Sequence, residues 1–337
     1  MIGKVGQKIV MNRMSKEVDR SNTNGNQGLY ALLKLLFECN RDVRFDVFTP
    51  NDIGDENWFD NVCDMSNEFS GKVCRIHYDA MVLIAGLAEY ENSMSVVNKI
   101  IDARSHCDRI ILLAEDPRCL ESMSHDMRFA SFMPDVILAQ YDGGMNYNGR
   151  FYGVTYTPLE TAQCYVAPMM DPTYGREDLI VIANDAAPYN RLEIVKAITD
   201  GVDCKVYGRA EEWQRLEFGD KHKGELKYDE ITAITRGALA SLCVPIRKGW
   251  VTSKYVEALL NGCMPVFHED YAVELLSVMR EEDMFIVNCA DHLRYLMTIL
   301  KDNPDMVIST VRRLQRDLVE PYRSGALLSG VIMKEVL

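Results

Sequence analysis

The sequence has 337 residues, 47% of them hydrophobic and 26% charged, with a formal net charge of −13. That length favours two domains over a single core, and the composition is that of a soluble globular chain. The acidic excess excludes a protein that coats nucleic acid through bulk charge, while leaving room for a local basic groove.

Short apolar runs alternate with helical patterns along the chain. "KIVMN" (8–12) predicts a strand and "GLYALLKLLFE" (28–38) an amphipathic helix. "RFDVFTP" (44–50) predicts a second strand, stopped by a proline. "AMVLIAG" (80–86) is a third, followed by a helix over roughly 93–105. "RIILLAE" (109–115) and "DVILAQY" (135–141) continue the series. Residues 142–178, rich in Gly, Pro, Tyr and Thr, read as a loop-rich connection between domains. The alternation then restarts. The predicted strands are "LIVIAND" (179–185), "CKVYGR" (204–209), "LASLCVPI" (239–246) and "CMPVFHE" (263–269). The predicted helices are "YNRLEIVKAITDG" (189–201), "YDEITAITRGA" (228–238) and "SKYVEALLNG" (253–262), the last ending on a glycine. The tail from residue 303 onward is mostly helical in pattern. Strand–helix alternation implies parallel strands with crossover helices. The expected architecture is therefore α/β, two Rossmann-like doubly wound parallel-sheet domains facing a central cleft. Ligands of such sheets bind beyond the carboxyl ends of the strands.

The ten cysteines show no CxxC and no zinc-like spacing with histidine, and are expected to be mostly buried, reduced thiols. No apolar stretch reaches the roughly 18 residues of a membrane span, and no apolar leader opens the chain. A cytoplasmic protein with no membrane contact, acting as a monomer, is expected. No GxSxG elbow, HExxH or DxD occurs, and His268 in "FHED" reads as a structural or cleft-lining histidine.

Four segments can carry chemistry. The polar loop between Asn12 and Gln27 feeds a helix, and free N–H groups at a helix start can hold an anion. It equally reads as a surface loop, since it is neither GxGxxG nor a Walker loop. In "IILLAEDPRCL" an apolar strand runs into Glu115 and Asp116. A carboxylate at a strand's carboxyl end, against an apolar cleft, can serve as a general base; as a bland alternative it is a helix cap. In "APYNRLEIV", Arg191 opens a helix, where its guanidinium can grip a diphosphate or simply face solvent. In "GWVTSKYVEALLNGCMPVFHED", Lys254 and Glu257 lie on one helix face. Thr252 or Ser253 can cap that helix. Lys254 can neutralise a departing phosphate and Glu257 can accept from two ribose hydroxyls; a plain surface ion pair is the alternative.

These segments together resemble the GT-B glycosyltransferases, and among them the DNA β-glucosyltransferases of T-even bacteriophages. Those enzymes transfer glucose from UDP-glucose to 5-hydroxymethylcytosine in duplex DNA. "ILLAEDPR" resembles the segment carrying that family's catalytic aspartate, which maps to Asp116. "NRLEIVK" resembles the segment with a diphosphate-gripping arginine, at Arg191. "VYGRAEEWQRLEF" is similar to the strand–turn beneath the nucleotide, at Gly208 and Arg209. "HKGEL" is similar to the loop whose backbone meets uracil, at Glu225 and Leu226. "VTSKYVEALLNGCMPVFHED" resembles the helix with the phosphate cation and ribose glutamate, at Ser253, Lys254 and Glu257. The family's second diphosphate arginine falls on Ala187 or nearby, its helix arginine is Lys254 here, and its sugar-contacting acidic residue falls near Gln27.

The resemblance implies an N-terminal acceptor domain (1–165), a UDP-sugar domain (166–315) and a C-terminal helix (316–337) packing back on the first domain. It implies an inverting transfer of glucose, or a pentose such as arabinose, from a UDP-sugar to hydroxymethylated pyrimidine in phage DNA inside an infected bacterium. Arg20, Arg118, Arg150, Lys221 and Lys223 are then candidates for DNA phosphates. A divalent ion, Mg2+ or Mn2+, can assist at the diphosphate, although no residue pattern assigns it a site. The rivals are a GT-B enzyme with a non-DNA acceptor, which the acidic charge favours, and a nucleotide-binding module without chemistry.

Overall fold

The computed structural model of the protein describes residues 8–13, 39–40, 43–49, 61–64, 77–85, 104, 107–114, 134–139, 145–147, 150–152 and 154–156 of the N-terminal half. It describes residues 169–323 apart from 185–189, 212–217, 246–247, 249–253 and 272–284, and beyond them 330 and 333–334. The chain divides into two compact units, Met1–Gln163 with Ser324–Leu337, and Cys164–Arg323.

The first unit contains β1 (Lys8–Arg13), β2 (Arg44–Thr49), β3 (Asn61–Asp64), β4 (Tyr78–Ala85), β5 (Cys107–Ala114), β6 (Val136–Ala139), β7 (Met145–Tyr147), β8 (Arg150–Tyr152) and β9 (Val154–Tyr156). Seven of these form one parallel sheet in the order β3-β2-β1-β4-β5-β6-β9. Residues 80–82 of β4 and 110–112 of β5 are buried on both faces of the sheet. Met81, Val82, Ile110, Ile111 and Leu112 are each within 1% of full burial, which is why they read as unbroken apolar runs rather than alternating patterns. Each such side chain contributes about 1.5–3 kcal/mol by leaving water. The loop-rich reading of residues 142–178 needs correction. That passage holds an antiparallel hairpin, β7 with β8, and β9, which joins the main sheet beside β6. These strands are three residues long, too short to show a periodicity. Strand β3, "NVCD", was also unanticipated, being four residues with polar ends. The helices expected at 28–38 and 93–105 lie almost wholly outside the described residues.

The second unit contains β10 (Leu179–Ile182), α1 (Arg191–Ile198), β11 (Lys205–Tyr207), α2 (Tyr228–Gly237), β12 (Ala240–Cys243), α3 (Lys254–Leu260), β13 (Met264–His268), β14 (Ile286–Val287), α4 (Ala290–Asp302) and α5 (Pro304–Leu314). A π-helical turn, Gln315–Val319, and a last helical turn, Glu320–Arg323, continue α5. The five strands form a parallel sheet in the order β11-β10-β12-β13-β14. The winding starts at β10, steps out to β11 and returns across to β12. The order therefore reverses between β10 and β12, the crevice where ligands of such sheets bind. Helix α4 buries Leu293, Leu296, Met297 and Leu300, and α5 opens with Pro304 in its first turn and buries Val307, Ile308, Val311 and Leu314, the stripe expected of amphipathic helices.

The glycine stop of α3 is conformational. Gly262 has φ +67, and a Cβ there would stand 2.9 Å from the Asp171 carbonyl oxygen and the Pro172 Cα. This turn is clasped by the segment preceding β10. Met170 donates its N–H to the Leu260 carbonyl at 2.7 Å. Arg176 Nη1 donates to the Gly262 carbonyl at 2.6 Å. Gln315, buried in the π turn, donates to the carbonyls of Met170 and Leu259 at 2.8 and 2.6 Å.

The six described cysteines are free thiols; four are buried, but Cys39 and Cys289 are exposed. Burial pushes the Cys263 thiol up to about 12, so it remains protonated and behaves as a small apolar side chain. Among the described residues no helix is long and apolar enough to cross a membrane.

Candidate functional site

At the reversal point of the five-stranded sheet, Arg191 opens α1 with its side chain 7% exposed. Its Nη2 donates to the carbonyl of Val244, the residue after β12, at 2.7 Å. Its Nη1 makes a longer contact, 3.5 Å, with the carbonyl of Asn184, two residues past β10. The guanidinium thus ties the ends of two neighbouring strands, an arrangement distinct from an outward-facing fork.

The loop after β11 is fixed from both sides. The carboxamide Oδ1 of Asn184 accepts the Arg209 N–H at 3.0 Å. Gly208 donates its N–H to the Gly224 carbonyl at 3.1 Å, and Lys223 donates to the Val206 carbonyl at 2.9 Å. The His222 ring contacts the Gly208 carbonyl through Nε2 at 3.0 Å. Residues 222–224 therefore run alongside β11 as a partial extra strand. Leu226 packs on the cluster of Ile180, Tyr207, Ala238, Ala258 and Cys263, which anchors the loop beneath, while Glu225 is exposed. The Lys227 N–H donates to Glu230 at 2.7 Å, closing one side of a capping box for α2.

Helix α3 begins at the same sheet end. Lys254 Nζ donates to Glu257 Oε2 at 2.7 Å, and the two side chains are only 21% and 11% exposed. The i,i+3 spacing read from the sequence is thus a pair sunk into the sheet edge rather than a solvated surface bridge. Cys243, the last residue of β12, is fully buried at this end of the sheet. Its thiol is pushed up by burial first, then by Cys263 and Glu257, while Lys254 and Arg191 pull it down.

The end of β13 adds His268, expected from the sequence as a structural or cleft-lining histidine. His268 is 6% exposed, and its Nδ1 accepts the Asp270 N–H at 3.2 Å. Lys248, in the loop after β12, stands 3.4 Å from Asp270. Burial lowers the affinity of His268 for a proton, against the opposing pull of Asp270 and Glu269, and Lys248 adds to the lowering.

Arg191, Gly208, Arg209, Glu225, Leu226, Lys254 and Glu257 all belong to loops or helix starts at the carboxyl ends of strands in this unit. Lys221, a candidate for DNA phosphate, instead donates to the Thr199 carbonyl at the end of α1 at 2.7 Å; Lys223 is exposed, and Arg150 lies on β8. Asp116, Arg118, Arg20, Gln27 and Ser253 lie outside the described residues. Asn184 and Val244 were missed. Val244 acts through its carbonyl and Asn184 through both its carbonyl and its carboxamide, positions that only the "VIAND" and "LCVPI" run endings could have flagged. Among the described residues no group of three or more His, Cys, Asp or Glu side chains is placed to hold a metal ion.

No family model matches the sequence, and no curated protein does. Solved structures do match. T4 phage β-glucosyltransferase in complex with its UDP-glucose substrate aligns with TM-score 0.65 at 12% identity, covering 98% of this chain and 99% of that one. A structure of the DNA-modifying enzyme β-glucosyltransferase, with and without uridine diphosphoglucose, gives TM-score 0.67 at 14% identity, with 98% and 99% covered. HepE of Anabaena, in complex with UDP-glucose, gives TM-score 0.58 at 12% identity, with 97% and 99% covered. The chain shares the GT-B fold of these proteins over nearly its whole length.

Proposed function

We propose that the chain is an inverting, UDP-sugar-dependent glycosyltransferase acting on hydroxymethylated pyrimidine in duplex DNA, with 5-hydroxymethylcytosine as the first acceptor to try. The observation that carries the donor half is the largely buried Lys254–Glu257 pair, joined at 2.7 Å where α3 begins beyond β12, with Arg191 held on the Val244 carbonyl just past the same strand, at the reversal point of a parallel sheet. A half-buried ammonium beside a helix start suits a diphosphate, and a carboxylate one turn on suits the two ribose hydroxyls. The loop of Gly208 and Arg209, with Glu225 and Leu226 beside it, suits the base. The acceptor half rests on the solved DNA-modifying enzyme of the same fold and on the segment resemblance at Asp116.

In the reaction, Asp116 takes the proton of the hydroxymethyl group as its oxygen bonds to the anomeric carbon. The bond from that carbon to the diphosphate breaks, and UDP leaves with the electron pair, its charge met by Lys254. Attack opposite the leaving group inverts the configuration. The acceptor base must leave the stack, at a cost of a few kcal/mol. A divalent ion can share the diphosphate charge, as the T4 enzyme crystallised with UDP and Mn2+ suggests. The sugar is glucose or a pentose such as arabinose.

The test is incubation with duplex DNA containing 5-hydroxymethylcytosine and a panel of UDP-sugars, with nucleosides weighed by mass spectrometry. The expected result is one hexose or pentose added to that base. Asp116→Ala is expected to lower transfer at least about a hundredfold while leaving UDP affinity unchanged; full activity in that variant removes the base assignment. A second reading, a glycan or small-molecule acceptor, is favoured by the net charge of −13. Duplex DNA binding that falls steeply with salt supports the first reading, and no DNA binding supports the second.

A further inference from the structure

We infer that Arg191 and Asn184 are positioning residues, a lock that holds three successive post-strand loops in the geometry that receives the nucleotide. This rests on the donor reading above and departs from it in one respect: Arg191 acts through backbone carbonyls rather than on the diphosphate itself.

The connection is continuous. From the Val244 carbonyl after β12 it passes through Arg191 Nη2 at 2.7 Å, then Nη1 at 3.5 Å to the Asn184 carbonyl after β10. From the Asn184 side chain it passes at 3.0 Å to the Arg209 N–H after β11. Strands β11, β10 and β12 are neighbours in the sheet. The three loops therefore leave adjacent strand ends and are joined by two side chains. On this rim the β11 loop is also supported by residues 222–224 and by the Ala183 N–H, which donates to the Tyr207 carbonyl at 3.0 Å.

A guanidinium 7% exposed is costly to desolvate and is retained where its donors are used. Here both terminal nitrogens are directed at carbonyl oxygens. Loops held in the receiving geometry before the ligand arrives spare the ordering cost on binding. Removing the lock should therefore weaken every ligand that uses these loops, charged or not. A direct phosphate contact would instead weaken only ligands that carry phosphate.

The experiment is calorimetric titration of UDP and of uridine onto the full chain and onto Arg191→Met, Asn184→Leu and Asn184→Asp, each with a thermal melt. The expected result is a loss of about tenfold for both ligands in Arg191→Met and Asn184→Leu. Asn184→Asp keeps the acceptor oxygen and should restore uridine affinity. Asn184 is exposed, so its variants should melt close to wild type, which keeps the test sound if Arg191→Met folds poorly. Loss of UDP affinity with uridine affinity intact in Arg191→Met would make Arg191 a direct phosphate ligand and overturn the lock. So would unchanged affinities in Asn184→Leu. A wild-type chain that takes up no UDP removes the donor reading and this role together, an outcome distinct from the other two.

Discussion

At the amino end of the five-stranded sheet one ion pair stands in water. Lys205, at the start of β11, pairs with Asp178, just before β10, with side chains 43% and 47% exposed. At the carboxyl end the charges are sunk. Lys254 and Glu257 are 21% and 11% exposed, and Arg191 is 7% exposed. An exposed pair contributes about 0–1 kcal/mol and can be placed freely. A buried charge costs several kcal/mol to desolvate, and an apolar residue of the same volume often serves stability better. The amino end also holds a partly buried charge, Arg176, but its guanidinium is used on the carbonyls of the α3 turn. The Lys254–Glu257 pair of the carboxyl end is joined ion to ion instead, a setting suited to serve a ligand. The clasp on Gly262 and the Arg176 bonds to the Asn261 and Gly262 carbonyls at 3.2 and 2.6 Å show what the amino end is for.

The largest effect should come from breaking the carboxyl-end pair. Lys254→Met is expected to lower UDP affinity about fiftyfold, the loss of a charge-assisted bond worth about 2–3 kcal/mol. It should also destabilise the fold by about 2 kcal/mol, since Glu257 loses its ammonium in a half-dry setting. Adding Glu257→Gln to Lys254→Met should recover most of the stability and none of the affinity. A double variant that stays as unstable as the single one would mean the pair is structural, and the contrast between the two ends would fail. Urea melts and calorimetry on the same samples read both quantities.

The next effect belongs to the amino end and should touch stability alone. Gly262→Ala must hold an L side chain at φ +67 with its Cβ 2.9 Å from the backbone of Asp171 and Pro172. Together these should cost about 2–3 kcal/mol. UDP affinity of the folded protein should be unchanged; a parallel loss of affinity would show that the two ends are coupled through α3.

Much of this could be read from the sequence where burial is two-sided. "AMVLIAG" and "RIILLAE" gave β4 and β5 because a strand covered on both faces has no polar positions to interrupt it. Lys254 and Glu257 were legible because i,i+3 neighbours meet on any helix, and Gly262 because a glycine after an amphipathic run marks a helix end. The burial of the Lys254–Glu257 pair was not legible, since it depends on β12 and β13 packing beneath α3. Nor was the setting of Arg191. One partner carbonyl lies 53 positions away in sequence, and a backbone oxygen leaves no mark on residue type. Strands β7, β8 and β9 escaped because three residues cannot display a period.

His268 sharpens the comparison through pH. Its proton affinity is lowered in the fold, by burial first and Lys248 in the opposite sense to Asp270 and Glu269. A histidine whose folded value lies below its unfolded 6.5 leaves the unfolded chain holding more protons in the interval between them. Stability is therefore full above pH 6.5 and declines as the pH falls through the folded value. His268→Gln should flatten that decline in thermal melts between pH 7 and 5, with little change at pH 7.5. A decline as steep as that of wild type would show that other groups set it.

The smallest effect is expected from the exposed pair. Lys205→Ala removes the ammonium from Asp178, whose side chain keeps about half its water. Its loss should cost about 0.5 kcal/mol or less, and less again in high salt. The hydrogen bond to Asp178 raises the proton affinity of Lys205 above its unfolded 10.5, so the small gain is present below that pH and fades above it. Asp178 also accepts the N–H groups of Leu239 and Ala240 through its backbone carbonyl, at 2.9 and 3.2 Å, and these survive the substitution. The start of β12 therefore stays pinned to β10 without the ion pair. A loss above about 1.5 kcal/mol would put the pair beyond the range of solvated bridges, and the amino end could no longer serve as the inert reference against which the sunken charges of the carboxyl end are read.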